Sequence, residues 1–233
     1  MKFRTLSIAG PKGQNQDAIM EPFQIGHATW CGIADGVGST VLGGLAARIS
    51  LEEVKSVASH DASMTAVFSR VAHRLSRFAD EKKADPKSLS TTLSVLCIED
   101  SLARLGHVGD TRITHYRGHG VMLRTKDHTE VQKLLDDGVL SKSQARRYPR
   151  RHVLLSAMSA GRDYDLCEDR FSVHKGDRIL LTSDGFHSKL VRGQLAELSA
   201  KTPDFYSFWC NIQELLSATI IEDDASCLAL EIE

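Results

Sequence analysis

The chain has 233 residues, with 29 Lys and Arg against 30 Asp and Glu, so its formal charge is −1; it is 42% hydrophobic and 25% charged. Those proportions are those of a globular protein and exclude a disordered or collagen-like chain. The near-neutral balance removes the electrostatic case for a dedicated nucleic-acid binder, and no apolar run approaches the roughly 20 residues that cross a bilayer, so no membrane contact is expected.

Residues 3–9 alternate polar and apolar side chains, lack the extended apolar core of a secretory signal, and read as a first strand; 29–34 reads as another. Two helices follow. Leu42, Leu45, Ala46 and Ile49 with Val54, Val57 and Ala58, then Met64, Val67, Phe68, Val71, Leu75 and Phe78, recur at spacings of three, four or seven, as on amphipathic helices that cover a sheet. Strands are predicted at 92–98, 102–108 and 112–116, with Gly118 and Gly120 at a hairpin tip before Val121. These strands succeed one another with too few residues for crossover helices, so this part of the sheet is expected to be antiparallel. Helices return at 130–136 and 142–147, a strand at 153–156 and another at 178–182, helices at 192–200 and 206–216, and a last strand at 226–232. With no internal repeat, low-complexity tract or Pro/Ser-rich linker, one α+β domain over residues 1–233 is expected, with sheets inside and helices outside.

Five cysteines, Cys31, Cys97, Cys167, Cys210 and Cys227, are odd in number and show no C-x-x-C spacing. That argues against a disulfide framework and a cysteine zinc site, and for reduced thiols in a cytoplasmic protein. Trp30 and Trp209 read as core. His115 and His119 have i, i+4 spacing, but a hairpin does not bring both rings to one face, so no histidine metal site is expected.

Five acidic positions stand at the start or end of an apolar run beside a small residue: Asp17, Asp35, Asp110, Asp184 and Asp223. Taken singly, Asp35-Gly36 and Asp184-Gly185 read as tight turns and Asp223-Asp224 as a solvated corner. Taken together, strand ends from one side of a sheet can converge. Carboxylates a few ångströms apart repel by about 1 kcal/mol per pair even in water, so convergence would demand cations, and oxygen-only ligands select Mg²⁺ or Mn²⁺ over zinc or copper.

Asn15-Gln16-Asp17, Ala34-Asp35-Gly36-Val37-Gly38, Ser90-Thr91-Thr92, the run from Gly106 to Arg112, Lys126-Asp127-His128-Thr129, the run from Gly176 to Gly185 and Asp223-Asp224-Ala225-Ser226 resemble, in order, the motifs of the metal-dependent serine/threonine phosphatases of the PP2C (PPM) family. The resemblance runs from about Lys12 to the end of the chain. The absence of a histidine after Asp35-Gly36 aligns it with the bacterial branch. It implies a four-layer α-β-β-α sandwich of two mostly antiparallel sheets flanked by helices, with a metal cluster at one end and a flap segment around 137–152. By matching position, Asp35 would bridge two Mg²⁺ or Mn²⁺ ions, the Gly36 carbonyl would bind the second, and Asp184 with Asp223 would complete the first. Asp17 would hold metal-bound water, and Asp110 would pair with Asp184 at a weaker third site. The implied reaction is attack of a metal-bridging hydroxide on phosphoserine or phosphothreonine in a protein, without a covalent phosphoenzyme, opposing a serine/threonine kinase. Consistent with that, there is no C-x₅-R loop, no G-x-S-x-G, and no P-loop lysine after Ser39-Thr40.

Some positions depart from the family. Lys12 stands where most members carry a phosphate-clamping arginine; it keeps the charge but loses the bidentate fork, and reads either as a phosphate contact or as a solvated loop lysine. Asp224 replaces the usual Asn, which leaves its role open. Val37 cannot donate a proton to the leaving alkoxide, so metal-bound water or the Asp127-His128 region are the candidates. Lys142, Arg146, Arg147, Arg150 and Arg151 occur without an acid between Ser141 and His152, as a solvated helix face or as contacts to a phosphoprotein. Competing functions are a catalytically weak PP2C-like module that binds a phosphoprotein or regulatory partner, and a two-metal nuclease or small-phosphoester hydrolase.

Overall fold

Two five-stranded antiparallel sheets lie face to face in the computed structural model, which describes residues 1–11, 13–38 and 41–233; the expectation on Lys12 lies outside the described residues. In chain order the elements are β1 (Lys2–Ile8), β2 (Asp17–Ile25), β3 (Ala28–Asp35), α1 (Val41–Val57), α2 (Met64–Lys82), β4 (Ser90–Thr91), β5 (Leu93–Glu99), β6 (Leu102–Val108), β7 (Arg112–Arg117), β8 (Gly120–Leu123), α3 (Glu130–Asp136), α4 (Lys142–Ala145), β9 (Met158–Ser159), β10 (Cys167–Ser172), β11 (Arg178–Thr182), α5 (Asp184–His187), α6 (Arg192–Lys201), α7 (Phe205–Ser217) and β12 (Ala225–Glu231). One sheet has the order β1-β12-β11-β7-β8 and the other β10-β6-β5-β3-β2, with β4 and β9 forming a separate short pair.

Three apolar clusters define four layers. Between the sheets pack Ile33, Leu96, Leu105, Ile113, Leu181 and Leu228. Outside the second sheet, α1 and α2 set Val54, Val67, Phe68, Val71 and Leu75 against Trp30, Val95 and Cys97. Outside the first, α6 and α7 bring Leu195, Phe205, Phe208, Trp209 and Ile212 onto Leu180, Cys227 and Ala229. Central strands are therefore covered on both faces, which is why β12 is buried at every residue and carries the apolar run Cys227–Leu230 without alternation. Cys31, Cys97 and Cys227 are buried hydrophobes within these layers, as expected.

Four strands, the two-residue β4 and β9 among them, and a helix have no counterpart in the sequence reading. β2 carries Pro22 in mid-strand, tolerated because β2 is an edge strand whose register shifts between Met20 and Phe23. β10, at the other edge of the same sheet, is mostly polar and exposed and so lacks an apolar signal. α5 is a single turn. Conversely, 153–156 is not a strand: it makes one isolated bridge, Thr129 to Leu154, and leaves Val153 and Leu155 exposed. The Gly118 hairpin forms as predicted, joining β7 to β8.

His115 points into a buried ionic network and not toward His119. Asp177 accepts from His115 Nε2 at 2.9 Å, from Arg117 Nε and Nη2 at 2.8 and 2.7 Å, and from the His174 backbone N–H at 2.9 Å. Burial works against this charge, but those donors hold its pKa down at about 2 against an ordinary 3.8. A depressed carboxylate adds stability that is complete above its unfolded pKa and is lost as pH falls through the folded one. Asp177→Ala should therefore cost about 2 kcal/mol or more at pH 6, and the gap between variant and wild type should narrow between pH 4 and pH 2. Urea unfolding of both proteins across that range checks it; a gap that stays constant with pH would contradict this account.

Candidate active site

The pairing of β2 with β3 sets Asp17 directly across from Asp35 where β3 runs out. Asp35 is bracketed by the Ser90-Thr91-Thr92 motif. Its N–H donates to Thr92 Oγ1 at 2.9 Å, its carbonyl accepts from Thr92 N at 2.8 Å and Thr91 Oγ1 at 2.9 Å, and Val37 N donates to Ser90 O at 2.9 Å. Gly36 lies so close to the start of α1 that a Cβ would stand 2.3 Å from the Gly43 carbonyl carbon. Only glycine permits that approach.

On the other sheet, β11 and β12 are neighbours, with Thr182 opposite Cys227, so the chain leaving β11 at Ser183-Asp184 meets the chain entering β12 at Asp223-Asp224. Ser183 joins the two sheets: its hydroxyl donates to Asp17 Oδ2 at 2.8 Å and accepts from Ser226 N at 2.9 Å. Asp224, whose role the sequence left open, is a backbone anchor. Its two oxygens accept from Gly10 N and Gln16 N, each at 2.7 Å, which fixes the segment leading into Asp17. Asp110 lies in the β6–β7 turn, its carbonyl 3.1 Å from His187 Nε2.

These elements enclose a cleft of about 170 Å³ whose lining includes Asp35, Gly36, Asp110, Asp184, Asp223 and Asp224 together with Val37, Thr92, His152 and Leu154. No Lys or Arg lines it among the described residues. The crowding of carboxylates shows in their protonation. Burial first, then Asp17, Asp184, Asp110 and Asp223, pushes the Asp35 pKa well above the usual carboxylate range. Burial and the Asp184 and Asp127 charges do the same to Asp110. Asp17 is raised to about 7, chiefly by burial and against the pull of its serine hydrogen bonds. Asp184 goes the other way: burial opposes its charge, but His152, whose Nδ1 lies 3.6 Å from Oδ2, and His187 hold it low.

A divalent cation fits this donor set. The lining carboxylates Asp35, Asp110 and Asp184 repel one another, no Lys or Arg lines the cleft among the described residues, Asp17 Oδ1 is buried without a hydrogen-bond partner, and the donors are hard oxygens. Among the described residues no three acidic, His or Cys side chains are already closed around a point, so the carboxylates wall a cleft instead of collapsing on its centre.

Asp35, Gly36, Asp110, Asp184 and Asp223 thus share one cleft, with Asp17 behind it. Arg146 and Arg147 are exposed and do not line it, and Arg150 is engaged by Glu130 at 2.7 Å. The Asp127-His128 pair is not in the lining either. Asp127 takes a two-point contact from Arg112 at 2.8 and 2.6 Å, and His128 Nδ1 accepts from Gly109 N at 3.2 Å, so both steady the Asp110 turn. His152 and Leu154 went unnoticed in the sequence, where nothing but the end of a basic run marks them.

Residues 12–226 match the protein phosphatase 2C family, and the chain belongs to this family of serine/threonine protein phosphatases. It is 27% identical over 213 residues to the protein phosphatase PhpP of Streptococcus pneumoniae, covering 85% of this chain and 84% of that protein. Its fold matches the serine/threonine phosphatase of S. agalactiae with a TM-score of 0.85 at 19% identity, over 100% of this chain and 99% of the other. The catalytic domain of PstP, solved in complex with two manganese ions, superposes with a TM-score of 0.76 at 20% identity, over 99% and 97% of the two chains. The four-layer sandwich expected from the motifs is the observed fold.

Proposed function

We propose that the acidic cleft binds two Mg²⁺ or Mn²⁺ ions and hydrolyses phosphoserine and phosphothreonine in proteins without a covalent intermediate. The carrying observation is that Asp35, Gly36, Asp110, Asp184 and Asp223 line one cleft with no lysine or arginine among its described residues. In this reading Asp35 would serve both ions, the Gly36 carbonyl would help to hold the second and Asp184 with Asp223 the first, and Asp110 with Asp184 would hold a third more weakly. When bound, such ions supply an activated water at neutral pH and neutralise the phosphoryl oxygens. Asp17, one oxygen fixed by Ser183 and the other unpartnered, holds the attacking water in line. The lining contains no Ser or Cys among the described residues, and the Thr92 hydroxyl is committed to the Asp35 N–H, which supports direct attack by water. Lys12 contributes charge toward the phosphate. Arg146 and Arg147, on a flap spanning 137–152 of a single domain, meet acidic residues of the phosphoprotein. The reading extends to a cytoplasmic enzyme that opposes a serine/threonine kinase.

Purified protein should hydrolyse p-nitrophenyl phosphate and a phosphothreonine peptide with Mn²⁺, lose both activities in EDTA, and melt higher with Mn²⁺ than without. A folded protein inactive on both at millimolar Mn²⁺ would leave the catalytically weak binding module as the better reading.

A further inference from the structure

The wall of the cleft that carries His152 and Leu154 belongs to a segment with little apolar surface to hold it down. α3 buries no side chain and α4 buries only Ala145, while Val139 and Leu155 are 62% and 53% exposed. Helices this short do not sustain themselves, so polar ties decide where the segment sits. Those ties converge on Glu130. The Tyr148 hydroxyl donates to its Oε1 at 2.5 Å, and Arg150 Nε and Nη2 reach its Oε2 at 2.9 and 2.7 Å. Tyr148 and Arg150 flank Pro149, and two turn hydrogen bonds, Arg151 N to Tyr148 O at 3.2 Å and Val153 N to Arg150 O at 3.1 Å, carry the chain on to His152. Beyond it the backbone returns to the same place: Glu130 N donates to Val153 O at 2.9 Å, and Leu155 N to His128 O at 2.8 Å. The chain is therefore fastened on both sides of His152 to residues 128–130.

We propose that Glu130 is a positioning residue for the phosphatase: its carboxylate clamps the Tyr148-Pro149-Arg150 turn and so sets His152 and Leu154 as the wall against which a phosphorylated peptide seats. The proposal rests on the cleft being the active site. A lone exposed ion pair contributes little to stability. Here, however, one carboxylate takes two hydrogen bonds and a further ion-pair contact from a single turn, and no buried apolar contact competes to place that turn. Its loss changes how often the wall is in place and leaves the three apolar clusters intact, because none includes this segment.

The test compares wild type, Glu130→Ala, Glu130→Asp and Tyr148→Phe, all loaded with Mn²⁺, on a phosphothreonine peptide and on p-nitrophenyl phosphate, which has no peptide chain to seat. Glu130→Ala should raise the peptide KM about tenfold, with a smaller effect on p-nitrophenyl phosphate, and Tyr148→Phe should show the same pattern more weakly. Glu130→Asp should recover part of the loss. Brief trypsin treatment of the metal-free proteins gives a readout independent of catalysis: cleavage after Arg150 and Arg151 should run about tenfold faster in Glu130→Ala, at a nearly unchanged melting temperature. Unchanged cleavage, or equal losses on both substrates, would overturn the proposal. A wild type inactive on both substrates would sink the active-site reading instead, and the cleavage rates would still decide whether Glu130 holds the turn. Should Glu130→Ala fail to fold, Tyr148→Phe decides in its place.

Discussion

Asp35→Asn should abolish metal-dependent turnover, by on the order of 10³-fold or more in kcat, and at the same time raise the melting temperature of the metal-free protein. Both effects have one origin. Asp35 ends β3 in a place already crowded by Asp17, Asp184, Asp110 and Asp223, and burial together with those charges lifts its pKa well above 3.8. A carboxylate whose folded pKa is raised contributes stability that is fully present below its unfolded pKa and is lost as pH rises through the folded value. The metal-free wild type should therefore lose stability as pH rises from 4 toward neutrality, and the Asn variant should lose less. The substitution keeps shape, and the hydrogen bonds that Asp35 makes to Thr91 and Thr92 are made by its backbone, so they survive. Adding Mn²⁺ should reverse the order: wild type gains and the variant does not. Melting curves with EDTA and with Mn²⁺, read beside p-nitrophenyl phosphate turnover, measure this. A variant that stays active, or that melts below wild type in EDTA, removes Asp35 from the metal site.

What could be read in the sequence divides along physical lines. α1 and α2 bury one face each, and their three-four spacing shows it; β5, β11 and β12 are covered on both faces, and their apolar runs show that. β2 and β10 escaped notice because an edge strand is free to carry Pro22 or a polar run such as Cys167-Glu168-Asp169-Arg170. The stretch 153–156 misled for the opposite reason: Val153 and Leu155 are apolar but lie at the surface. At the cleft, the aspartates could be picked out because each stands at or next to the start or end of a strand beside a small residue, and the order of the motifs named their family. What brings them together is topology: the register of β2 on β3 and of β11 on β12. Asp224 bonds Gln16 across 208 residues of chain, and His152 reaches Asp184 from a turn 32 residues upstream, so no local pattern could mark either.

The close approach of the Asp184 turn to the Asp223-Asp224 loop depends on a glycine, and Gly185→Ala is expected to damage stability and metal binding together. A Cβ at Gly185 would stand 2.2 Å from the Asp224 carbonyl oxygen, 2.9 Å from its carbonyl carbon and 3.1 Å from the Asp223 oxygen. All three are backbone atoms, so no side chain can swing aside. Nor can the loop move freely: the Asp224 carboxylate is tied to Gly10 N and Gln16 N, and Ser226 N to the Ser183 hydroxyl. Either these hydrogen bonds break, or α5 shifts and takes the fully buried Phe186 with it. Each course costs about 3 kcal/mol or more, and each separates Asp184 from Asp223. Thermal unfolding should show a fall of several degrees, and calorimetric titration should show weaker Mn²⁺ binding. Gly193→Ala is the control, since its Cβ would meet nothing within 4 Å on α6; it should be neutral, or stabilising by up to about 1 kcal/mol. If Gly185→Ala melts and binds Mn²⁺ like the control, the close approach of α5 to the 223–224 loop is not what joins the two carboxylates, and their assignment to one metal ion loses its structural basis.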